Sequence, residues 1–288
     1  MNSPTAILPP FLILDRLLQD WLLEDVGRGD RTTQGLLANT LKTGEAQWIC
    51  KEAGIIAGLP IAARVFQLLD AQAKFMPTVA EGEWCDRGQV IAQIEGTWDA
   101  LLTGERVALN LSMRLSGIAT LTHRYVEKIA DLPAQLVDTR KTTPGLRILE
   151  KYATQVGGAT NHRMGLDDGV MIKDNHIAAA GGIQQAIEQV RSRIPYPLTI
   201  EVETETLEQV AEALAYGADI IMLDNMPVEQ MQQAVQMIRT KNDRLKIEAS
   251  GNITLETIRS VAETGVDYIS TSAPITRSTW LDLSMKML

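Results

Sequence analysis

The sequence predicts an α/β protein in two parts: an α+β sandwich over residues 1–117, then an irregular, incomplete α/β barrel over residues 118–288. Two observations predict this. After Leu136, short apolar, β-rich runs alternate with amphipathic helical patterns, the mark of a parallel sheet covered by helices. Before Gly117, strand-like runs cluster together with segregated helices, as in α+β sandwiches. A chain of 288 residues is long enough for both parts.

Phe11–Leu23 reads as a helix, apolar on most faces. Ala46–Ile49, Gly54–Ala57, Lys74–Val79 and Val90–Ile94 read as strands, with Ile61–Leu69 as a helix packed on them. Asp99–Ser116 resumes helical periodicity, with Leu101, Leu102, Ala108, Leu109, Leu111 and Leu115 as its core face. The regime changes between Gly117 and Pro133. The strands of the second part are Gln135–Asp138, Val170–Lys173, Leu198–Glu203, Asp219–Leu223, Lys246–Ala249 and Asp267–Ser270. Helical patterns over Gly182–Ile194, Leu207–Tyr216 and Val228–Thr240 separate them, and another begins at Thr254. Ile220-Ile-Met-Leu223 is apolar on both faces, as a buried parallel strand is. Six such units are too few to close an eight-stranded barrel; a doubly wound open sheet is the alternative.

The segment Glu81–Glu95 has the Gly-x-x-x-x-x-Gly spacing of half a biotinyl or lipoyl carrier motif. Neither Lys51 nor Lys74 sits at the exposed hairpin tip such a carrier needs, so it reads as a structural turn and strand.

A net charge of -9 and a pI near 5.0 exclude the basic surface expected of a nucleic-acid binder. Cys50 and Cys85 form no CxxC pair and only three histidines exist to join them, so no structural zinc site is expected. A reducing compartment is expected. The apolar stretch Ala6–Leu14 holds two prolines and lacks a basic leader. No run reaches the roughly 18 apolar residues that span a bilayer. A cytoplasmic protein without membrane partners is expected.

The polar residues fall in a pattern. Arg140-Lys141 follows the first strand of the second part, Lys173-Asp174 the second, Glu203 ends the third, Asp224-Asn225 follows the fourth, Ser250-Gly251 the fifth and Ser270-Thr-Ser272 the sixth. In α/β barrels this C-terminal strand face carries the active site. Arg140, Lys141, His162, Arg163 and Lys173 form a cationic set suited to a small polyanion, because Arg forks onto carboxylates and Lys is a compact charge for phosphate. Glu201 and Glu203 share one strand face. A salt bridge to Lys173 or Arg140 is the ordinary expectation for Glu201. Glu203 and Asp224 end successive strands and suit a hydrated Mg²⁺ shared with substrate phosphates. Ser250-Gly251-Asn252, before the predicted Thr254 helix, offers a small polar loop for phosphate. Arg106 and Asn110 share a helix face four residues apart, a spacing that by itself describes a surface pair.

These blocks resemble the quinolinate phosphoribosyltransferase family. The resemblance runs through Asp25–Asp30, Glu105-Arg-Val-Ala-Leu-Asn110, Asp138-Thr-Arg-Lys-Thr-Thr-Pro-Gly145, Gly157–Arg163, Lys173-Asp-Asn-His176, Glu201-Val-Glu203 and Leu223-Asp-Asn225. It implies transfer of phosphoribose from phosphoribosyl pyrophosphate to quinolinate, with loss of carbon dioxide and a requirement for Mg²⁺. It also implies a homodimer. Arg106 (from the partner subunit), Arg140, His162, Arg163 and Lys173 would hold quinolinate. Lys141, Glu203, Asp224, Ser250 and Gly251 would hold the phosphoribosyl donor and its metal, with Lys141, Glu203 and Asp224 acting in catalysis. Where the family often has Ser-Val-Gly-Ala-Leu-Thr, this chain has Ser270-Thr-Ser-Ala-Pro-Ile275, so Ser272 replaces a glycine in the phosphate cradle and Pro274 lacks an N–H. A phosphoribosyltransferase that does not decarboxylate, or a noncatalytic anion-binding barrel, are the rival readings.

Overall fold

The computed structural model describes residues 6–37 and 42–288. In chain order the first elements are α1 (Phe11–Val26), α2 (Arg31–Leu37), β1 (Thr43–Cys50), β2 (Gly54–Ile55), α3 (Leu59–Leu69), β3 (Lys74–Pro77), β4 (Trp84–Cys85), β5 (Val90–Thr97) and α4 (Trp98–Glu127). There follow β6 (Gln135–Val137), α5 (Arg147–Val156), β7 (Val170–Ile172), α6 (Asp174–Ala180), α7 (Ile183–Arg191), β8 (Ile200–Thr204) and α8 (Leu207–Ala215). The last are β9 (Ile220–Asp224), α9 (Val228–Lys241), β10 (Lys246–Ser250), α10 (Ile258–Ala262), β11 (Tyr268–Ser270), α11 (Ala273–Thr276) and β12 (Leu283–Met287).

The described residues up to His123, with Ile148–Gly158 and Arg277–Leu288, form one compact unit; Arg124–Arg147 and Ala159–Thr276 form the other. The first unit is built on an antiparallel sheet in the order β12-β1-β5-β3. The alternation Ala46, Trp48, Cys50 puts one face of β1 into the core. Trp48 meets Phe75 edge-on at 5.4 Å and Phe66 of α3 at 6.3 Å. α3 lays Ile61, Ala62, Val65 and Phe66 on that face. Its first turn is closed by a distant carboxylate: Glu81 accepts the N–H groups of Gly58 (2.6 Å) and Leu59 (3.1 Å) and the Tyr152 hydroxyl (2.8 Å). Three otherwise orphaned donors are thereby satisfied. α5 is tied to this unit by Tyr152 and by Glu150, which receives Arg114 at 2.7 Å.

In the second unit six strands lie in the order β6-β11-β10-β9-β8-β7, and each neighbouring pair is parallel. This is an incomplete α/β barrel: β6 and β7 are its outermost strands, and the edge of β6 is covered by a single parallel bridge from Val137 to Thr160. Ile200, Val202, Ile221, Leu223, Ile247 and Ala249 are fully buried, which accounts for the apolar runs on which the sheet was predicted. The helix expected from Thr254 begins instead at Ile258. Residues 254–257 form a turn in which Thr254 Oγ1 accepts the N–H groups of Glu256 and Thr257 at 3.3 Å. Among the described residues, no helix is long and apolar enough to cross a membrane.

Candidate active site

The loop after β6 carries Thr139, Arg140 and Lys141. The Lys141 N–H bonds Thr139 Oγ1 at 3.0 Å and the Thr142 N–H bonds the Arg140 carbonyl at 3.0 Å, so the loop turns sharply at the strand end. Arg147, to which the sequence assigns no role, clamps it. Its Nε donates to Thr142 Oγ1 (3.1 Å) and its Nη1 to the Met164 carbonyl (3.1 Å), joining the loop after β6 to the loop before β7. On that second loop Arg163 is half-buried and donates Nη1 to the Gly169 carbonyl at 2.7 Å. Burial, and then the positive charge of Arg140, hold the Arg163 guanidinium below its usual range. Two guanidiniums that repel one another in a partly desolvated place favour an anion between them. Lys141 is exposed.

His162 departs from its expected setting. Its Nε2 faces Glu201 Oε2 at 3.1 Å and Glu248 Oε2 at 3.4 Å, while its Nδ1 accepts the Arg163 N–H at 2.7 Å. Glu201 therefore pairs with His162, not with Lys173 or Arg140 as the sequence suggested. The reason is depth: Glu201 is buried inside its strand, and the lysine at the end of β7 meets Glu203 further along. Burial works against charge on His162, yet the hydrogen bonds to Glu201 and Glu248 push it up to about 10. The Nδ1 contact opposes that charge, because an imidazolium has no acceptor there. The geometry decides for the neutral ring with its proton on Nε2. Burial, opposed by the hydrogen bond to His162 and aided by the charge of Glu248, raises Glu201 above its ordinary range. His162, Glu201 and Glu248 are also the one group among the described residues whose ligand atoms lie close enough to hold a metal. An Nε2 that carries a proton is no ligand, which argues against that use.

Lys173 Nζ lies 2.6 Å from Glu203 Oε2. On the next strand Asp224 Oδ2 accepts Asn225 Nδ2 at 2.7 Å, Asn225 Oδ1 accepts Asn252 Nδ2 at 3.1 Å, and the Asn225 N–H bonds the Ser250 carbonyl at 2.9 Å. Asn225 and Asn252 both have positive φ, 54° and 52°, a conformation that Asn tolerates better than most residues. Gly251 has φ +94°, and a Cβ there would collide with the Asn225 side chain and approach its backbone N to 2.8 Å. Only glycine fits this crossing of two strand-end loops. Ser250 is thus brought beside Asp224, but no helix N-terminus follows it as expected. Ser272 is half-buried, and its carbonyl accepts the Ile275 and Thr276 N–H groups at 3.0 and 2.9 Å. Pro274 falls in the first turn of α11, where a missing N–H breaks no helical bond. Glu203 and Asp224 offer hard oxygen donors on adjacent strands, a set that fits Mg²⁺ completed by water and substrate. Arg106 lies in the other unit, exposed on α4.

The sequence matches two family models: the quinolinate phosphoribosyl transferase N-terminal domain over residues 30–116 and the C-terminal domain over residues 118–286. The chain belongs to the quinolinate phosphoribosyl transferase family. A probable carboxylating nicotinate-nucleotide pyrophosphorylase of Synechocystis sp. is 58% identical over 286 residues, 99% of this chain and 96% of the relative. The protein of the same name in Bacillus subtilis is 46% identical, covering 95% and 93%. Among solved family structures, NadC from Streptococcus pyogenes superposes with a TM-score of 0.93 at 43% identity, covering 99% of each chain. The Francisella tularensis nicotinate-nucleotide pyrophosphorylase gives 0.91 at 36% identity over the whole of both chains. The family division at residues 116–118 differs from the contact division, because Ile148–Gly158 and Arg277–Leu288 come from the C-terminal model's span yet pack with the first unit.

Proposed function

We infer that this protein transfers phosphoribose from phosphoribosyl pyrophosphate to the ring nitrogen of quinolinate and releases pyrophosphate and the 2-carboxylate as carbon dioxide. The product is nicotinate mononucleotide, a step in making NAD. The observation that carries this reading, beyond family membership, is the clamp by which Arg147 joins the loop of Arg140 to the loop of half-buried Arg163. Quinolinate brings two adjacent carboxylates, and planar guanidinium forks suit them. His162 and Lys173 complete the aromatic-acid side in this reading, with Arg106 supplied by the partner in a homodimer.

Glu203, Asp224, Ser250, Gly251 and Ser272 line the sugar and phosphate side in the same reading. Lys141, exposed on its turn, neutralises the departing pyrophosphate. Glu203 and Asp224 would hold Mg²⁺, largely through its water. When bound, the ion screens the pyrophosphate charge. As the bond from the anomeric carbon to pyrophosphate breaks, positive charge develops on the sugar, and the carboxylates of Glu203 and Asp224 stabilise it. Aligning the ring nitrogen with that carbon removes much of the remaining barrier. The positive charge on the quaternised ring nitrogen stabilises the electron pair left on its neighbouring carbon when carbon dioxide departs, and that pair then takes up a proton in place of the carboxylate. A cytoplasmic setting is supported by the two free cysteines, Cys50 and Cys85.

Incubation with quinolinate, phosphoribosyl pyrophosphate and Mg²⁺ tests the reading. Nicotinate mononucleotide and carbon dioxide should appear in equal amounts. Turnover of nicotinate in place of quinolinate, without carbon dioxide, would move the protein to the non-decarboxylating class.

A further inference from the structure

Three acids from alternate strands converge on one short segment. Asp138 follows β6, Glu201 lies on β8 and Glu248 on β10, which are the first, fifth and third strands across the sheet. Alternate strands supply the same interior layer of an α/β barrel. Asp138 accepts the His162 N–H at 2.9 Å and Asn161 Nδ2 at 2.6 Å. Glu201 and Glu248 face His162 Nε2. The His162 ring in turn receives the Arg163 amide on Nδ1. Each link of this chain is a direct polar contact, and it ends at the residue that carries the guanidinium.

Glu248 is the member that nothing above explains. It is 4% exposed, between the fully buried Ile247 and Ala249. A carboxyl group there costs several kcal/mol of hydration unless it is well paired. Its pairing is incomplete: Oε1 of Glu248, like Oε1 of Glu201, is buried without a hydrogen-bond partner among the described residues. An apolar side chain would fill the same place at less cost. The arrangement therefore serves something other than packing.

We propose that Glu248 is a positioning residue for the aromatic-acid site: with Glu201 it orients the His162 ring, and through that ring it sets the Arg163 backbone from which the guanidinium meets a substrate carboxylate. The ring cannot turn without losing both acid contacts and the Arg163 amide. The proposal rests on the assignment of Arg163 to quinolinate. It makes no use of Glu248 as an acid or base and places no substrate on it.

Two variants test it, after wild-type turnover of quinolinate has been measured. Absence of wild-type turnover would remove the functional reading itself, whatever Glu248 does. Given turnover, Glu248→Leu should raise KM for quinolinate about tenfold, the effect of roughly one charge-assisted hydrogen bond, and leave KM for phosphoribosyl pyrophosphate within about twofold. Glu248→Gln retains an acceptor for Nε2–H and should recover most of the loss. With only three histidines in the chain, ¹⁵N-histidine spectra resolve His162. Its ring signals should move in Glu248→Gln while those of the other two stay. This second readout stands even if Glu248→Leu does not fold. Unmoved His162 signals, an unchanged quinolinate KM in Glu248→Leu, or an equal rise in both KM values would each overturn the proposal.

Discussion

Lys173 at the end of β7 donates to Glu203 at the end of β8 at 2.6 Å. In the proposed function the pair joins the two sides of the site, Lys173 on the aromatic acid and Glu203 on the sugar. Each neutralises the other in this structure. Lys173→Met should lower kcat/KM for quinolinate by about tenfold or more, from loss of one charge-assisted hydrogen bond. Steady-state kinetics with quinolinate varied at saturating donor would check it, and an unaltered kcat/KM removes Lys173 from the site.

Arg140→Lys keeps the positive charge and loses the planar fork. Calorimetric titration with quinolinate should show affinity reduced by about tenfold, since a bidentate pair becomes a single contact. Wild-type affinity in this variant would sink the guanidinium clamp.

Asp224→Asn keeps shape and removes charge. The charge acts on the transition state, so kcat should fall by about a hundredfold or more while quinolinate affinity changes little. Full turnover at saturating Mg²⁺ would reject the role.

Glu81→Gln probes the first unit. The amide can accept from fewer donors than the carboxylate, so one of Gly58, Leu59 and Tyr152 loses its partner, at about 1–3 kcal/mol of stability by denaturant titration. Burial, opposed by those donors, raises Glu81 above its ordinary 4.5. A raised carboxyl contributes stability that is full below pH 4.5 and is lost as pH rises through its folded value. The Gln variant should lack that part of the pH dependence. A variant as stable as wild type, with the same pH profile, would show that the three donors find other partners.

Mixing Arg106→Ala and Lys173→Ala chains, each impaired alone, tests the proposed dimer. Random exchange of equal amounts should restore roughly a quarter of the sites, since half the dimers are mixed and half of their sites are intact. No recovery after confirmed exchange would return Arg106 to its own subunit or remove it from the site.

The barrel strands were legible because parallel strands buried on both faces have few polar residues to confuse the pattern, as in Ile220–Leu223. The positions of Arg140, Lys173, Glu203 and Asp224 at strand ends were legible for the same reason: charge begins where burial stops. β12 was missed although Leu281, Leu283, Met285 and Met287 alternate, since its partner β1 is remote in sequence and no local signal names it. Glu248 was missed because one acid inside a short strand reads as the polar side of an ordinary alternation. Its neighbours Ile247 and Ala249 held the clue, being apolar on both sides of it. The late start of α10 has a local cause: the Thr254 hydroxyl bonds amides two and three residues on and holds a turn where helical spacing suggested a helix.

The antiparallel sheet has a consequence for how the chain is made. β1 lies between β5, which follows it early, and β12, which the ribosome delivers only after every barrel strand. The first unit therefore remains an incomplete sheet during most of synthesis, with one side of β1 open to any passing strand. Domain-by-domain maturation from the N-terminus, the usual order for a nascent chain, leaves this sheet one strand short until β12 emerges. The second unit, nearly contiguous in sequence, is free to fold first, and the earliest residues to emerge are among the last to acquire their final neighbour.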